Sequence, residues 1–481
     1  MLSVRRLVGP VAALALIAPA AVPAQSSDSA LRRLEGTWLG TLKVSVTELR
    51  LVFKIEACAD GSLEVTMDSP DQGATDLPVS RISLEQDRVT LELDKPRARY
   101  EGVLSEDGTT IDGKWMQSGI TLPLVMRSVK EVPKPNRPQE PKKPYPYVEE
   151  EVTYRNTEDD VTLAATLTLP HTEGSFPAVI LITGSGAQDR DETVFGHRPF
   201  LILADYLTRR GIAVLRADDR GVGGSTGNIV SATSEDFARD VLAGVAHLRG
   251  RKEIDPKHIG LIGHSEGGII APMVAARSAD VSFIVLMAGT GVTGAQIIEG
   301  QITRLLKAAG AEPSVIDASL AAQRQVVDIA RRETDVEVMK QKVREVMAQS
   351  VSRLDEKEKQ ALGYSDAYVD MQAAGVASPW FRFFLSYDPR PTLMKVRCPV
   401  LAVNGALDVQ VWADENLPVI EDALKAGGNT DVTIRKLPGL NHLFQTASTG
   451  DIREYARIEE TFAPTALETI AAWIDSQVGR P

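Results

Sequence analysis

Ile259-Gly260-Leu261-Ile262-Gly263-His264-Ser265-Glu266-Gly267-Gly268-Ile269-Ile270 is the stretch on which the reading of the fold turns. Its first five residues form a short, nearly continuous apolar run, the pattern of a parallel strand buried on both faces. The apolar residues after Gly268 continue as a helix. Between the two lies Gly-x-Ser-x-Gly, Gly263 to Gly267. A serine in such a strand-to-helix turn holds a strained backbone so that its hydroxyl projects above the sheet. Glycines two residues to either side relieve the close backbone contacts that result. Ser265 is therefore the candidate nucleophile.

Working outward, similar apolar runs recur at Ala178 to Thr183, Ala213 to Ala217, Phe283 to Ala288 and Val400 to Asn404. Amphipathic segments such as Phe200 to Arg210 and Glu235 to Arg249 lie between them, long enough for right-handed crossovers. This alternation predicts an open α/β sheet from about residue 150 onward. Between Gly291 and Pro389 no strand pattern appears, only charged helical sequence such as Val336 to Met347. The expectation is a helical cap, about 291–389, inserted over the active edge of the sheet.

A serine hydroxyl needs a base to become a nucleophile. Of the six histidines, His171, His197, His247 and His258 precede the turn, and His264 sits inside it, where its side chain is expected to point into packing. His442 alone follows Ser265, just after the strand-like Val432 to Leu437. The acid is expected in the loop after Val400 to Asn404. That loop reads Gly405-Ala406-Leu407-Asp408, so Asp408 is preferred over Asp414, which falls in the first turn of the next helix, where acids are common dipole partners. The oxyanion of the tetrahedral intermediate needs two backbone donors. The amide of Glu266, at a helix start, is one. The amide of Ser185, in the Gly184-Ser185-Gly186 loop after Ala178 to Thr183, is the other. The run Asp189-Arg190-Asp191-Glu192 fits either a self-paired loop buttressing the oxyanion hole or a solvated turn. Trp380-Phe381-Arg382-Phe383-Phe384-Leu385-Ser386-Tyr387 fits either an apolar acyl pocket or the core of the cap. No metal or organic cofactor is called for.

The first third of the chain has a different rhythm. Short alternating segments, among them Leu49 to Ile55, Leu63 to Met67, Val89 to Leu93, Arg99 to Leu104 and Thr121 to Met126, are broken by Asp60-Gly61, Asp107-Gly108 and Asp112-Gly113. About eight strands over residues 25–130 predict a small antiparallel β-barrel or sandwich. Its Gly36-Thr37-Trp38 start resembles the Gly-x-Trp opening of lipocalin-like barrels. Six prolines between Pro133 and Pro146 predict a stiff, extended linker over 131–149. Arg5 and Arg6, the apolar stretch Leu7 to Ala18 and the small residues up to Ala24 predict an export signal over 1–24, cleaved after Ala24. The mature protein is then periplasmic or extracellular, with no membrane span. The net charge of −12 repels phosphate backbones and disfavours nucleic-acid binding. Cys58 and Cys398 lie far apart and do not make a disulfide framework.

Four segments together resemble the EstD-type bacterial esterases of the α/β-hydrolase superfamily, often grouped with serine-aminopeptidase-like hydrolases. They are the turn at Ser265, Thr183-Gly184-Ser185-Gly186-Ala187-Gln188-Asp189-Arg190-Asp191-Glu192, Asn404-Gly405-Ala406-Leu407-Asp408 and Asn441-His442-Leu443-Phe444. The resemblance implies an α/β-hydrolase fold with a helical cap, preceded by the all-β domain. It implies a carboxylesterase acting on short acyl esters, small-molecule substrates, with Ser265, Asp408 and His442 falling on the family triad. Two rival readings remain. One is a serine peptidase or amidase on the same triad. The other is a non-catalytic ligand-binding protein, against which the complete triad order argues.

Overall fold

Period-two burial builds the first sheet. In Leu63–Ser69 every second residue is buried and those between are half-exposed, as a strand with one face on a core requires. The structure is a computed structural model that describes residues 31–479 apart from 45–46, 59–62, 71–73, 95–96, 118–119, 133–135, 172, 309–310 and 353–365. The expected signal segment and the turn at Asp60-Gly61 lie outside the described residues.

Nine strands form this sheet: β1 Gly36–Val44, β2 Thr47–Ala57, β3 Leu63–Ser69, β4 Ala74–Pro78, β5 Arg81–Glu85, β6 Arg88–Leu93, β7 Ala98–Leu104, β8 Thr110–Gln117 and β9 Ile120–Val129. Their order is β4-β3-β2-β1-β9-β8-β7-β6-β5, antiparallel at each pairing. β1 pairs with β9, so the meander curls on itself. The seam falls between β4 and β5, which are joined by Val79 and Ser80. These two residues bond to opposite sides, Val79 N–H to the Val65 carbonyl at 3.0 Å and Ser80 N–H to the Glu92 carbonyl at 2.7 Å. The expectation was about eight strands. The ninth arises because the 74–85 stretch contributes a short strand to each side of the seam. The interior is filled by Trp38, Phe53, Tyr100 and Trp115 among aliphatic side chains. Their polar ends are satisfied within the protein: the Trp38 indole donates to the Leu34 carbonyl at 2.8 Å, and the Tyr100 hydroxyl to the Ile111 carbonyl at 3.0 Å.

The second sheet comprises β10 Val148–Asn156, β11 Val161–Leu169, β12 Phe176–Ile182, β13 Ala213–Ala217, β14 Ile254–His264, β15 Phe283–Met287, β16 Val400–Gly405 and β17 Val432–Leu437. Its order is β10-β11-β13-β12-β14-β15-β16-β17. The β10–β11 and β11–β13 pairs are antiparallel and the rest are parallel. Sequence periodicity picked out β12, β13, β15, β16 and the second half of β14 because those runs are almost wholly apolar and buried. β10 carries Glu149, Glu150 and Glu151 at the sheet edge and lacks that pattern. Helices Ser234–Arg249, Gly267–Ala275 and Ala413–Ala426 cover one face, and Pro199–Arg209 and Pro464–Gln477 the other. This is an α/β-hydrolase-like arrangement. Because β12 lies between β13 and β14, the chain reverses its direction of winding there. Loops leaving the carboxyl ends of β12 and β14 therefore diverge and open a crevice, the usual ligand position in such sheets.

Between β15 and β16 lie helices Gly294–Ala308, Pro313–Arg332, Val336–Ser350, Asp366–Ala377 and Pro379–Ser386, with no strand among the described residues. They share a small core that includes Ala295, Val326, Val343, Ala373 and Leu385.

The proline-rich segment lies along the second sheet's loops. The Arg137 guanidinium donates to the carbonyls of Gly196, Phe195, Ile458 and Ala456 at 2.8–3.2 Å. The Gln139 side chain accepts from the Thr461 and Phe462 amides and donates to the Phe462 carbonyl at 2.7 Å.

Candidate active site

The turn after β14 has the strain its sequence implies. Ser265 sits at φ +53°, a left-handed conformation that a non-glycine residue holds only when its surroundings enforce it. Its amide donates to the Met287 carbonyl at 2.8 Å, and its carbonyl accepts from the Gly268 amide at 2.9 Å. The flanking glycines are required by space. A Cβ on Gly263 would meet the Gly267 carbonyl oxygen at 2.0 Å, and one on Gly267 would meet the Ile182 carbonyl oxygen at 2.2 Å. Glu266 caps helix Gly267–Ala275, so its amide lies at the positive end of the helix dipole.

Asp408 and His442 are brought together. The Asp408 carboxylate, completely buried, accepts from His442 Nδ1 at 2.8 Å through Oδ2. Its Oδ1 accepts from the Gln410 and Val411 amides, both at 2.8 Å. The loops bearing the pair are tied together, with the Leu407 amide donating to the Leu440 carbonyl at 2.9 Å. Gly405 permits that approach, since a Cβ there would lie 2.3 Å from the Leu440 carbonyl oxygen. The rival acid, Asp414, is exposed and paired with Lys436 at 2.6 Å. Within the histidine's own loop, the Asn441 side chain accepts from the Leu443 and Gln445 amides at 3.0 and 2.9 Å.

The loop after β12 comes to Ser265, for a Cβ built on Gly184 would be 3.4 Å from the Ser265 Cβ. Ser185, the next residue, is exposed. Asp219 closes the loop, accepting from the Thr183 hydroxyl at 2.8 Å and the Gln188 amide at 3.0 Å. Burial raises the Asp219 pKa well above the ordinary carboxylate range, against the lowering by those two donors.

Asp189-Arg190-Asp191-Glu192 matches neither simple expectation, because the partners of its last three side chains come from elsewhere in the chain. Arg190 makes a bidentate pair with Asp218 at 3.0 and 2.8 Å. Asp191 is bound by Arg216 at 2.8 Å and by Arg198. Glu192 accepts from the Gly184 amide at 2.6 Å and from His264 Nδ1 at 2.8 Å. His264 is thus bonded, not merely packed, and its Nε2 reaches the His442 carbonyl oxygen at 3.0 Å.

The aromatic segment is shared between the cap core and the core of the second sheet, against which Phe383, Phe384 and Tyr387 pack. Leu385 is buried in the cap core, while Trp380 stacks on Phe384 (5.4 Å between centroids) and donates its indole N–H to the Glu266 carboxylate at 2.8 Å. That carboxylate also accepts from the Ser234 hydroxyl at 2.6 Å. Burial raises the Glu266 pKa, opposed by the two donors. Periodicity gives no hint of this cap-to-turn bond. Among the described residues no group of three or more His, Cys, Asp or Glu is arranged to hold a metal ion. Cys58 and Cys398 are free thiols.

Comparison with known proteins decides the family: residues 159–424 match the profile of the X-Pro dipeptidyl-peptidases (S15 family). The chain belongs to the S15 family. That match spans β11 to the helix after β16 and includes Ser265 and Asp408. The chain is also 31% identical over 151 residues to Esterase EstD of Thermotoga maritima, covering 31% of this chain and 36% of that protein. The resemblance to EstD-type esterases drawn from the motifs is met by this relative, of whose length the chain spans about a third. Among solved structures, the chain is similar to the Pyrococcus furiosus esterase Pf2001 at 15% identity and a TM-score of 0.42, covering 73% of this chain and 98% of that one. It is similar to the α/β hydrolase GrgF of a Penicillium species at 16% identity and a TM-score of 0.41, covering 69% and 99%.

Proposed function

We propose that this S15-family chain is a serine hydrolase that cleaves carboxylic esters, short acyl esters in particular, by two-step acyl transfer. His442 takes the Ser265 proton as the hydroxyl attacks the carbonyl. The amides of Ser185 and Glu266 hold the oxyanion. His442 then protonates the leaving alcohol, and water hydrolyses the acyl-enzyme. Asp408 keeps His442 in the tautomer with Nε2 free to accept and stabilises the imidazolium as it forms. The observation that carries this reading is the buried Asp408–His442 bond of 2.8 Å, in a chain whose serine holds a left-handed φ of +53°. The name of the Thermotoga relative supports the ester specificity.

The family itself favours a second reading, a peptidase on the same residues, since ester and amide pass through the same tetrahedral species. Turnover of p-nitrophenyl acyl esters beside Xaa-Pro anilides, with wild type and Ser265→Ala, separates the two. Higher kcat/KM on esters, abolished in Ser265→Ala, supports the esterase. Wild-type turnover in Ser265→Ala removes the mechanism altogether, and absence of fluorophosphonate labelling at Ser265 would favour a non-catalytic binding protein.

We read the N-terminal domain as a lipocalin-like barrel, on its meandering strand order and on Trp38 buried at its start. Its filled interior favours a structural role over ligand capture. We further read the chain as exported, on the pattern of residues 1–24.

A further inference from the structure

His264 and Glu192 lie beneath the reacting groups and are used by neither the triad nor the oxyanion amides. Both are almost wholly buried, at 5% and 3% exposure. Glu192 Oε1 accepts from the Gly184 amide at 2.6 Å and from His264 Nδ1 at 2.8 Å. His264 Nε2 donates to the carbonyl oxygen of His442 at 3.0 Å. A carbonyl only accepts and a carboxylate oxygen already holding an amide accepts again, so the imidazole presents a proton at both nitrogens. The geometry fits a His264 imidazolium paired with the Glu192 carboxylate. Burial alone would lower its pKa, but the Glu192 carboxylate and the His442 carbonyl outweigh that and raise it above the ordinary value.

Such a pair does not explain itself through stability. Removing two charges from water is rarely repaid by their mutual attraction, and Glu192 also holds a left-handed φ of +52°, a strain that clusters at functional sites. What the pair does connect is specific. One end takes the Gly184 amide in the loop after β12, and the other takes the backbone of the base. The residue between them, His264, directly precedes the nucleophile. With the Gly184 amide engaged below, the next amide, that of Ser185, is the loop's donor toward substrate.

We propose that Glu192 and His264 are positioning residues that fix the oxyanion loop and the His442 loop in register with Ser265. The proposal rests on the serine-hydrolase reading above, which Ser265→Ala tests separately. If that variant retains turnover, the reading fails. If it is inactive and the experiment below fails, the positioning role fails alone.

Kinetics of p-nitrophenyl butyrate hydrolysis, normalised to active sites counted by the acyl-enzyme burst, would be measured for Glu192→Gln, His264→Gln and the double variant. Affinity for a phenylboronic acid, whose adduct with Ser265 occupies the oxyanion site, would be measured in parallel. Loss of an oxyanion-hole donor outright lowers kcat by about 10²–10³, so a displaced donor is expected to lower it by about ten- to a hundredfold. KM should stay within about twofold, and boronate affinity should fall by the factor lost in kcat/KM. The double variant should lose no more than the worse single variant, because the pair acts as a unit. Glu192→Asp keeps the charge with a shorter reach, should fall between wild type and Glu192→Gln, and serves if Glu192→Gln does not fold. Wild-type kcat per active site in Glu192→Gln or Glu192→Asp overturns the proposal. So does a loss confined to KM, or one that multiplies in the double variant.

Discussion

Replacing Asp408 by asparagine tests the triad with the least change in shape, and the structure sets the size of the effect. The two oxygens of Asp408 face different donors: Oδ1 faces the amides of Gln410 and Val411, and Oδ2 faces His442 Nδ1. An asparagine that leaves its carbonyl oxygen with the two amides must point its NH2 at the histidine. Nδ1 then has to accept, the ring proton moves to Nε2, and the base can no longer take the serine proton. The opposite flip restores the right tautomer but sets an NH2 against the buried Val411 amide and the half-buried Gln410 amide. At about 1–3 kcal/mol for each unsatisfied buried group, that flip lies about 2–6 kcal/mol higher. It is populated about 30- to 10⁴-fold less than the first, so kcat should fall by between about 30-fold and 10⁴-fold, the upper end being the loss seen for this change in serine proteases. The assay is p-nitrophenyl butyrate turnover per active site at pH 7.5, with near-UV circular dichroism to establish that the fold is intact. A folded Asp408→Asn enzyme within tenfold of wild type would refute the tautomer argument.

Three further outcomes follow from particular contacts. Gly267→Ala drives a Cβ to within 2.2 Å of the Ile182 carbonyl oxygen, so the turn must move away from the end of β12; activity should fall at least about a hundredfold, and a fully active variant would contradict the packing. Trp380→Phe keeps the ring but removes a donor to the buried Glu266 carboxylate, a bond class worth about 1.5–3 kcal/mol; if the bond holds the cap in its substrate-binding position, KM for p-nitrophenyl butyrate rises about tenfold at constant kcat, and an unchanged KM counts against it. His197 is buried, and burial pushes its pKa down from 6.5 to about 4. The unfolded chain therefore binds the extra proton between those values, so its contribution to stability is present above pH 6.5 and lost as pH falls toward 4. By pH 5 the loss amounts to about 2 kcal/mol. Urea unfolding of wild type and His197→Gln at pH 7 and pH 5 isolates this term from His264 and Glu266, which titrate in the opposite sense, and parallel behaviour of the two proteins would disprove it.

How much of the site was legible follows from how local its causes are. The glycines around Ser265 answer to contacts made within the turn and with the neighbouring strand, so the composition of five residues carried the geometry. Asp408 and His442 were readable as candidates because each lies just past a strand-like run, and the structure bonds the two at 2.8 Å. Glu192 and His264 were visible as residues but not as partners. Their bond spans 72 positions, and no periodicity relates the loop after β12 to the end of β14, its neighbour in the sheet. The same holds for Arg190 and Asp191, whose partners Asp218 and Arg216 lie on and just after β13. Trp380 belonged to an evident aromatic cluster, yet only the structure separates it, bonded to Glu266, from Leu385 in the cap core.

The proline-rich segment carries the point one step further. Proline density predicts an extended backbone but not what it lies against, and a stiff spacer would need no polar anchors. Arg137 instead spends its guanidinium on four carbonyls, two in the loop at 195–196 and two at 456–458. Those segments flank His197, which bonds to the Thr461 hydroxyl and the Tyr455 carbonyl, each at 2.9 Å. Tyr455 in turn accepts from Gln410 at 3.2 Å, two residues from the acid, and the Gln410 amide itself holds Asp408. Hydrogen bonds joined by short covalent links thus lead from the segment before the second sheet to the carboxylate bonded to His442. The unit built on the second sheet therefore begins structurally no later than Arg137, some ten residues before its first strand, and a fragment cut at the start of β10 would lack the outer anchor of the Asp408 loop.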